Sequence, residues 1–93
     1  TGRPRVLVFN GCYHGTLDDT FVSLENGRTV NTPGLLGQVN DLTQTAVACE
    51  FNDLAGVEAA LAQGDVAAIL TEPVMTNSCM VLPDAGFHDG LRQ

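Results

Sequence analysis

Lysine is missing from all 93 residues, and four arginines stand against eleven acidic side chains, a formal net charge of -7. Binding to phosphate needs clustered Lys and Arg, so this balance excludes nucleic acid and anionic membrane as expected partners. No apolar run approaches the ~20 residues of a bilayer-spanning helix, and no leader peptide is read at the N-terminus. The three cysteines, Cys12, Cys49 and Cys79, are an odd set with no Cys-x-x-Cys pair. That sets aside a disulfide framework and fits a reducing cytoplasm. Neither a Gly-x-Ser-x-Gly elbow nor a P-loop occurs, which excludes the usual signatures of acyl transfer and nucleotide hydrolysis. Cys12 and His14, even with Cys49, Cys79 and His88, lack the spacing of a zinc site. There are no internal repeats and no low-complexity tracts.

What is present suits one small domain, or part of a larger one. The 44% hydrophobic content is that of a globular chain, although a chain this short buries only a modest fraction of its surface. Thr1-Gly2-Arg3-Pro4 lacks an initiator Met, and Gln93 falls inside a helical pattern. A segment of a longer protein is therefore expected.

Two apolar runs organise the chain. Arg5-Val6-Leu7-Val8-Phe9, continuing to Asn10, has the unbroken apolar character of a strand buried on both faces of a parallel sheet. It ends at Gly11-Cys12-Tyr13-His14-Gly15, which places a thiol, a phenol and an imidazole on a loop between two glycines. Val66-Ala67-Ala68-Ile69-Leu70 predicts a strand over 66–72 that ends in the same way at Thr71-Glu72-Pro73. Ligands of open α/β sheets sit outside the carboxyl ends of the strands. If the two runs are parallel neighbours, Tyr13, His14 and Glu72 share an edge.

Between these runs the spacing of Leu17, Phe21 and Leu24 predicts a short helix from Gly15 to Val22, capped by Thr16. Residues 16–44 as a whole read as irregular and gate-like, since turn signals at 25–27, 31–34, 37 and 40–41 interrupt any periodicity. Residues 45–51 predict a strand. Residues 53–63 predict a helix capped by Asn52 and stopped by Gly64, with Leu54, Val57 and Leu61 on one face. A last helix is predicted from Asp84, after Pro83, with Phe87 and Leu91 on one side. The fold class expected is α/β, a partial three-layer sandwich with a mainly parallel sheet.

Each candidate residue has a functional and a structural reading. His14 could be a base, a ligand contact or a structural hydrogen-bonding residue. Tyr13 could stack on a planar ligand or pack beneath its own loop. Glu72, an acid at the end of an apolar strand, is either paired with Arg, bonded to backbone, or turned toward a ligand. Asn77 and Ser78 could bond a ligand or make local turns. As a nucleophile Cys12 would need a neighbouring cation, and the sequence offers none nearby.

Gly11-Cys12-Tyr13-His14-Gly15, Phe51-Asn52-Asp53-Leu54, Thr71-Glu72-Pro73-Val74, Thr76-Asn77-Ser78 and Val81-Leu82-Pro83-Asp84-Ala85-Gly86-Phe87 occur in that order. Together they resemble the class III aminotransferases, pyridoxal-phosphate enzymes of fold type I. The resemblance runs end to end. It is greatest with the glutamate-1-semialdehyde aminomutase-like members and with transaminases acting on β-amino acids such as β-phenylalanine.

The resemblance implies a segment of the large, cofactor-binding domain. Tyr13 matches the aromatic residue that stacks on the pyridoxal ring, and His14 and Gly15 complete that motif. Glu72 matches an acid near the cofactor or ordering the site around it, and Asn77 matches a loop Asn close to the cofactor. Residues 16–44 correspond to a mobile gate over the site. Cys79 stands where a Gly is common and Thr16 where many relatives carry a second His, departures that bear on substrate more than on fold.

Transamination needs a lysine to hold the cofactor and an acid to keep its pyridine nitrogen protonated. Without lysine, the isolated chain is expected to be inactive, with those groups elsewhere in a homodimeric parent. The parent would move an amino group between an amino acid and a 2-oxo acid. The alternative reading is a non-catalytic α/β binding or assembly module on the same scaffold. A large apolar patch left by so few covering helices predicts self-association.

Overall fold

Strand β1 (Arg5–Phe9) is the middle of a three-stranded parallel sheet. Its neighbours are β4 (Ala46–Cys49) and β5 (Val66–Ile69), aligned with Val8 opposite Ala48 and Leu7 opposite Ile69. The computed structural model describes all 93 residues. The apolar run at the chain start takes the central place because both of its faces are covered. Leu7 and Phe9 point into one cluster with Cys49, Val57, Val66 and Phe87. Val8 points the other way, into a cluster with Val22, Leu42, Ala46 and Ala48. That alternation is the two-residue period of a pleated strand.

Two helices cover the first face, α1 (Leu54–Leu61) and α2 (Phe87–Arg92). Three phenyl rings knit it together at the strand ends. Phe9 meets Phe51 at 5.6 Å and 89°, and Phe87 meets Phe9 at 5.6 Å and Phe51 at 4.8 Å, all edge to face. Burying a ring of this size contributes about 2–3 kcal/mol, and edge-to-face pairs about 1 kcal/mol more. Of the predicted apolar face of α1, Val57 is fully buried, while Leu61 lies at the rim of the layer.

The region expected to be irregular holds a β-hairpin instead, β2 (Val22–Glu25) and β3 (Arg28–Asn31). Asn26 and Gly27 form its turn with φ of 51° and 74°, the left-handed pair that matches strand twist in a two-residue hairpin. The hairpin covers the second face through Val22 and Leu24, giving helices, sheet and hairpin as three layers.

Other boundaries differ from expectation for local reasons. No helix forms over 15–22; Asp18–Thr20 is a single 3-10 turn, because Phe21 and Val22 are drawn into the hairpin. Asp53, not Asn52, caps α1 by accepting the Gly56 N–H at 3.0 Å. Asn52 is in the left-handed region at φ 67°. Its amide donates to Leu82 O at 3.0 Å and accepts from Asp84 N–H at 2.8 Å, which fixes the approach to α2. That helix starts at Phe87 rather than Asp84, since Gly86 at φ 83° interrupts it. The strands stop at Phe9, Cys49 and Ile69, short of the predicted 10, 51 and 72. No helix is long and apolar enough to cross a membrane.

Candidate functional site

Parallel neighbours deliver their carboxyl ends to one side, so the loops after β1 and β5 meet. The first loop begins with Phe9 O accepting the Cys12 N–H at 3.1 Å, and Gly11 turns the chain at φ 79°. Gly11 is needed for closeness as well as for sign of φ. A Cβ there would stand 3.1 Å from Ser78 Oγ and 3.4 Å from Met75 Cε.

Glu72 makes the junction. Its Oε2 accepts the Tyr13 N–H at 3.2 Å and its Oε1 accepts the Thr76 hydroxyl at 2.8 Å. Of the readings the sequence left open, Glu72 makes the bond to backbone, together with one to a hydroxyl, and its carboxylate has no Arg partner. The Thr76 hydroxyl first, and the Tyr13 amide with it, hold the carboxyl below its ordinary pKa, since hydrogen bonds to the charged form favour it.

Tyr13 is not packed beneath its loop, as 63% of the residue is exposed. His14 is half-buried, and its Nε2 is shut away from solvent without a hydrogen-bond partner. Burial lowers the His14 pKa, with the Glu72 charge opposing the shift. Gly15 follows at φ 72° with open space beside its Cα. Cys12, beside Glu72, has its pKa pushed up to about 11, chiefly by burial. A thiol so placed is not an activated nucleophile.

The loop after Glu72 closes on itself, Met75 and Val81 exchanging two backbone hydrogen bonds of 3.0 Å. Asn77 is exposed near its tip. Ser78 spends its hydroxyl on Gly11 O at 3.3 Å, so of the pair Asn77 and Ser78 only the second is committed to the neighbouring loop. The structure thus brings Tyr13, Glu72 and the loop carrying Asn77 to one rim.

Two contributors escaped the sequence reading. Thr76 orients Glu72, and Asn10 ties three elements together by donating to Glu50 Oε1 at 3.0 Å and accepting from Leu24 N–H at 3.1 Å. A polar residue directly after a buried strand was the available signal for Asn10. The largest hollow lies elsewhere, a cleft of about 420 Å³ between the hairpin turn and α1, lined by Leu24, Thr29, Ala48 and Gly56 among others. It includes none of the candidate residues.

No family model matches the chain. A glutamate-1-semialdehyde aminomutase from Pseudomonas aeruginosa is 51% identical over 98% of the chain and superposes with a TM-score of 0.91. A lysine-to-alanine variant of it has been solved in complex with PMP. An omega-transaminase from Sphaerobacter thermophilus is 34% identical over 99% of the chain, TM-score 0.82. The glutamate-1-semialdehyde 2,1-aminomutase 1 of Lachnoclostridium phytofermentans is 40% identical over the full chain. The chain spans only 20%, 23% and 22% of these three proteins, respectively. Identity at this level from end to end, on a shared backbone, makes the chain homologous to about a fifth of these aminomutase and transaminase chains, with the α/β fold of that segment.

Proposed function

We propose that these residues form one wall of the pyridoxal-phosphate site in a larger aminotransferase or aminomutase. The observation that carries this reading is the exposed Tyr13 ring, tied through its own N–H to Glu72 at the common carboxyl rim of β1 and β5. Open parallel sheets hold ligands at such a rim. The residues present fit one face of a flat, polar cofactor. Tyr13 offers an open ring for stacking, Gly11 lets two loops close up behind it, and His14 Nε2 is a buried polar atom still without a partner.

In this reading Tyr13 stacks on the cofactor ring, His14 and Gly15 shape the loop around it, Glu72 orders the rim, and Asn77 contributes a hydrogen bond from the opposite loop. When bound, the cofactor supplies an electron sink for carbanion chemistry at the substrate's amino-bearing carbon. These side chains bind and orient. The lysine and the acid toward the pyridine nitrogen come from residues outside the segment, so the 93 residues alone have no transaminase activity. Residues 1–93 belong to the large cofactor-binding domain, and any gate-like motion of 16–44 leaves out the hairpin, since Asn10 and Thr29 bond it to the sheet ends.

The substrates proposed are an amino acid, β-amino acids included, and a 2-oxo acid, in a cytoplasmic homodimer. Leu36 and Val39, 97% and 91% exposed, are apolar surface that the rest of the protein or a second subunit would cover. The test is pyridoxal phosphate added to the full-length protein. A visible band that an amino donor bleaches supports the reading. A full-length protein that develops no band overturns it, in favour of a non-catalytic module.

A further inference from the structure

Glu72 uses both oxygens of its carboxylate, one on each loop of the rim. Oε2 holds the backbone of Tyr13 and Oε1 is held by the Thr76 hydroxyl four residues on, at 3.2 and 2.8 Å. The terminal torsion of a glutamate is soft, with a broad minimum. A carboxylate gripped at one oxygen by a fixed hydroxyl presents its other oxygen in one direction. The hydroxyl is itself fixed, because Thr76 sits inside the loop closed by Met75 and Val81 and pinned to Gly11 by Ser78.

From this chain of contacts we infer that Thr76 is a positioning residue: by orienting Glu72 it sets the backbone at Tyr13, and with it the point on the rim from which the exposed ring projects. The inference rests on the proposed cofactor site, whose stacking surface that ring would be. Thr76 need not touch the cofactor. Three features are consistent with the role. Thr76 is solvent-exposed, so its hydroxyl is not there to satisfy a buried neighbour. The shorter of the two contacts is the one to the hydroxyl. Glu72 is also the single side chain that spans from Thr76 to the Tyr13 amide.

The experiment uses the full-length protein and the variants T76V, T76S and E72Q. Hydrogen exchange of the peptide containing Tyr13 is measured without cofactor. Visible circular dichroism and the rate of cofactor loss are measured with pyridoxal phosphate bound. T76V is expected to speed exchange at Tyr13 roughly threefold to tenfold, the range for losing part of a hydrogen bond to a charged group. It should also change the dichroic band and hasten cofactor loss, and E72Q should do the same. T76S, which keeps the hydroxyl, should restore wild-type values.

T76V matching the wild type in exchange and in the band overturns the inference. So does faster exchange with an unchanged band, or failure of T76S to restore. If the wild type itself gives no band, the cofactor reading falls, while the exchange comparison still decides whether Thr76 holds Tyr13.

Discussion

Thr29 Oγ1 accepts the backbone N–H of Ala48 at 3.0 Å, so the hairpin covers the outer edge of β4 with a side chain where a strand would otherwise pair. Ala48 is buried, 4% exposed, and an unpartnered donor there would lose its desolvation energy without return. Thr29→Val is expected to destabilise the chain by about 1–2 kcal/mol, and Thr29→Ser by much less. Chemical denaturation of the two variants checks this. Equal stability of Thr29→Val and wild type would show that the contact contributes nothing. An uncovered edge also invites pairing with other chains, so the valine variant should self-associate more in sedimentation.

The hairpin turn offers a test of backbone strain free of packing. A Cβ on Gly27 meets no atom within 4 Å, yet Gly27 has φ 74°. Gly27→Ala should therefore cost about 1 kcal/mol through conformation alone. Asn26→Gly, at φ 51°, should be close to neutral. Melting curves of both variants separate the two effects. An alanine that is tolerated at no cost would mean that the turn relaxes to another type.

Acid should loosen the rim. The folded state lowers the His14 pKa from 6.5, so its contribution is whole above that pH and declines as pH falls through the window beneath it. Glu72 is likewise lowered, from 4.5, and its contribution declines as pH falls below that value toward the folded pKa. Both groups give stability that rises with pH on the acid side. His14→Gln should flatten the first part of the pH–stability curve and Glu72→Gln the second. A His14→Gln curve parallel to wild type between pH 5 and 7, in the range where histidine titrates, would contradict the burial of that ring.

Thiol labelling should find one rapid site. Cys79 is exposed, Cys49 is buried and Cys12 is half-buried. Burial raises the pKa of Cys12 to about 11 and that of Cys49 above its usual value, which leaves little thiolate at neutral pH. One equivalent of a thiol-exchange reagent should react fast, and Cys79→Ser should abolish that phase. Fast modification of Cys12 would show that the loop after β1 opens in solution.

Parallel strands were legible because β1 and β5 are unbroken apolar runs that end alike, at Gly11 and Pro73; their adjacency stood as a condition, which the sheet order meets. The meeting of Tyr13 and Glu72 at one rim was legible for the same reason. The hairpin was not, although Asn26-Gly27 is its strongest local sign. Its strands are four residues each, with Thr29 and Asn31 on the face that Val22 and Leu24 share, too short and too polar for alternation to stand out. Asn52 outranked Asp53 as a helix cap by position only. The tertiary bonds of Asn52 to 82 and 84, thirty residues away, claimed its side chain instead. Thr76 stood in a quoted motif, but its role was invisible because that role depends on where Glu72 points, and that depends on Tyr13, 59 residues earlier.

Tyr13 is the single tyrosine of these 93 residues, and no tryptophan accompanies it. Tyrosine emission from this stretch therefore originates at one address, the open ring on the rim where the two loops join. The chain carries its own optical probe there, and any flat molecule that settles on that ring will dim or shift it without a dye being attached.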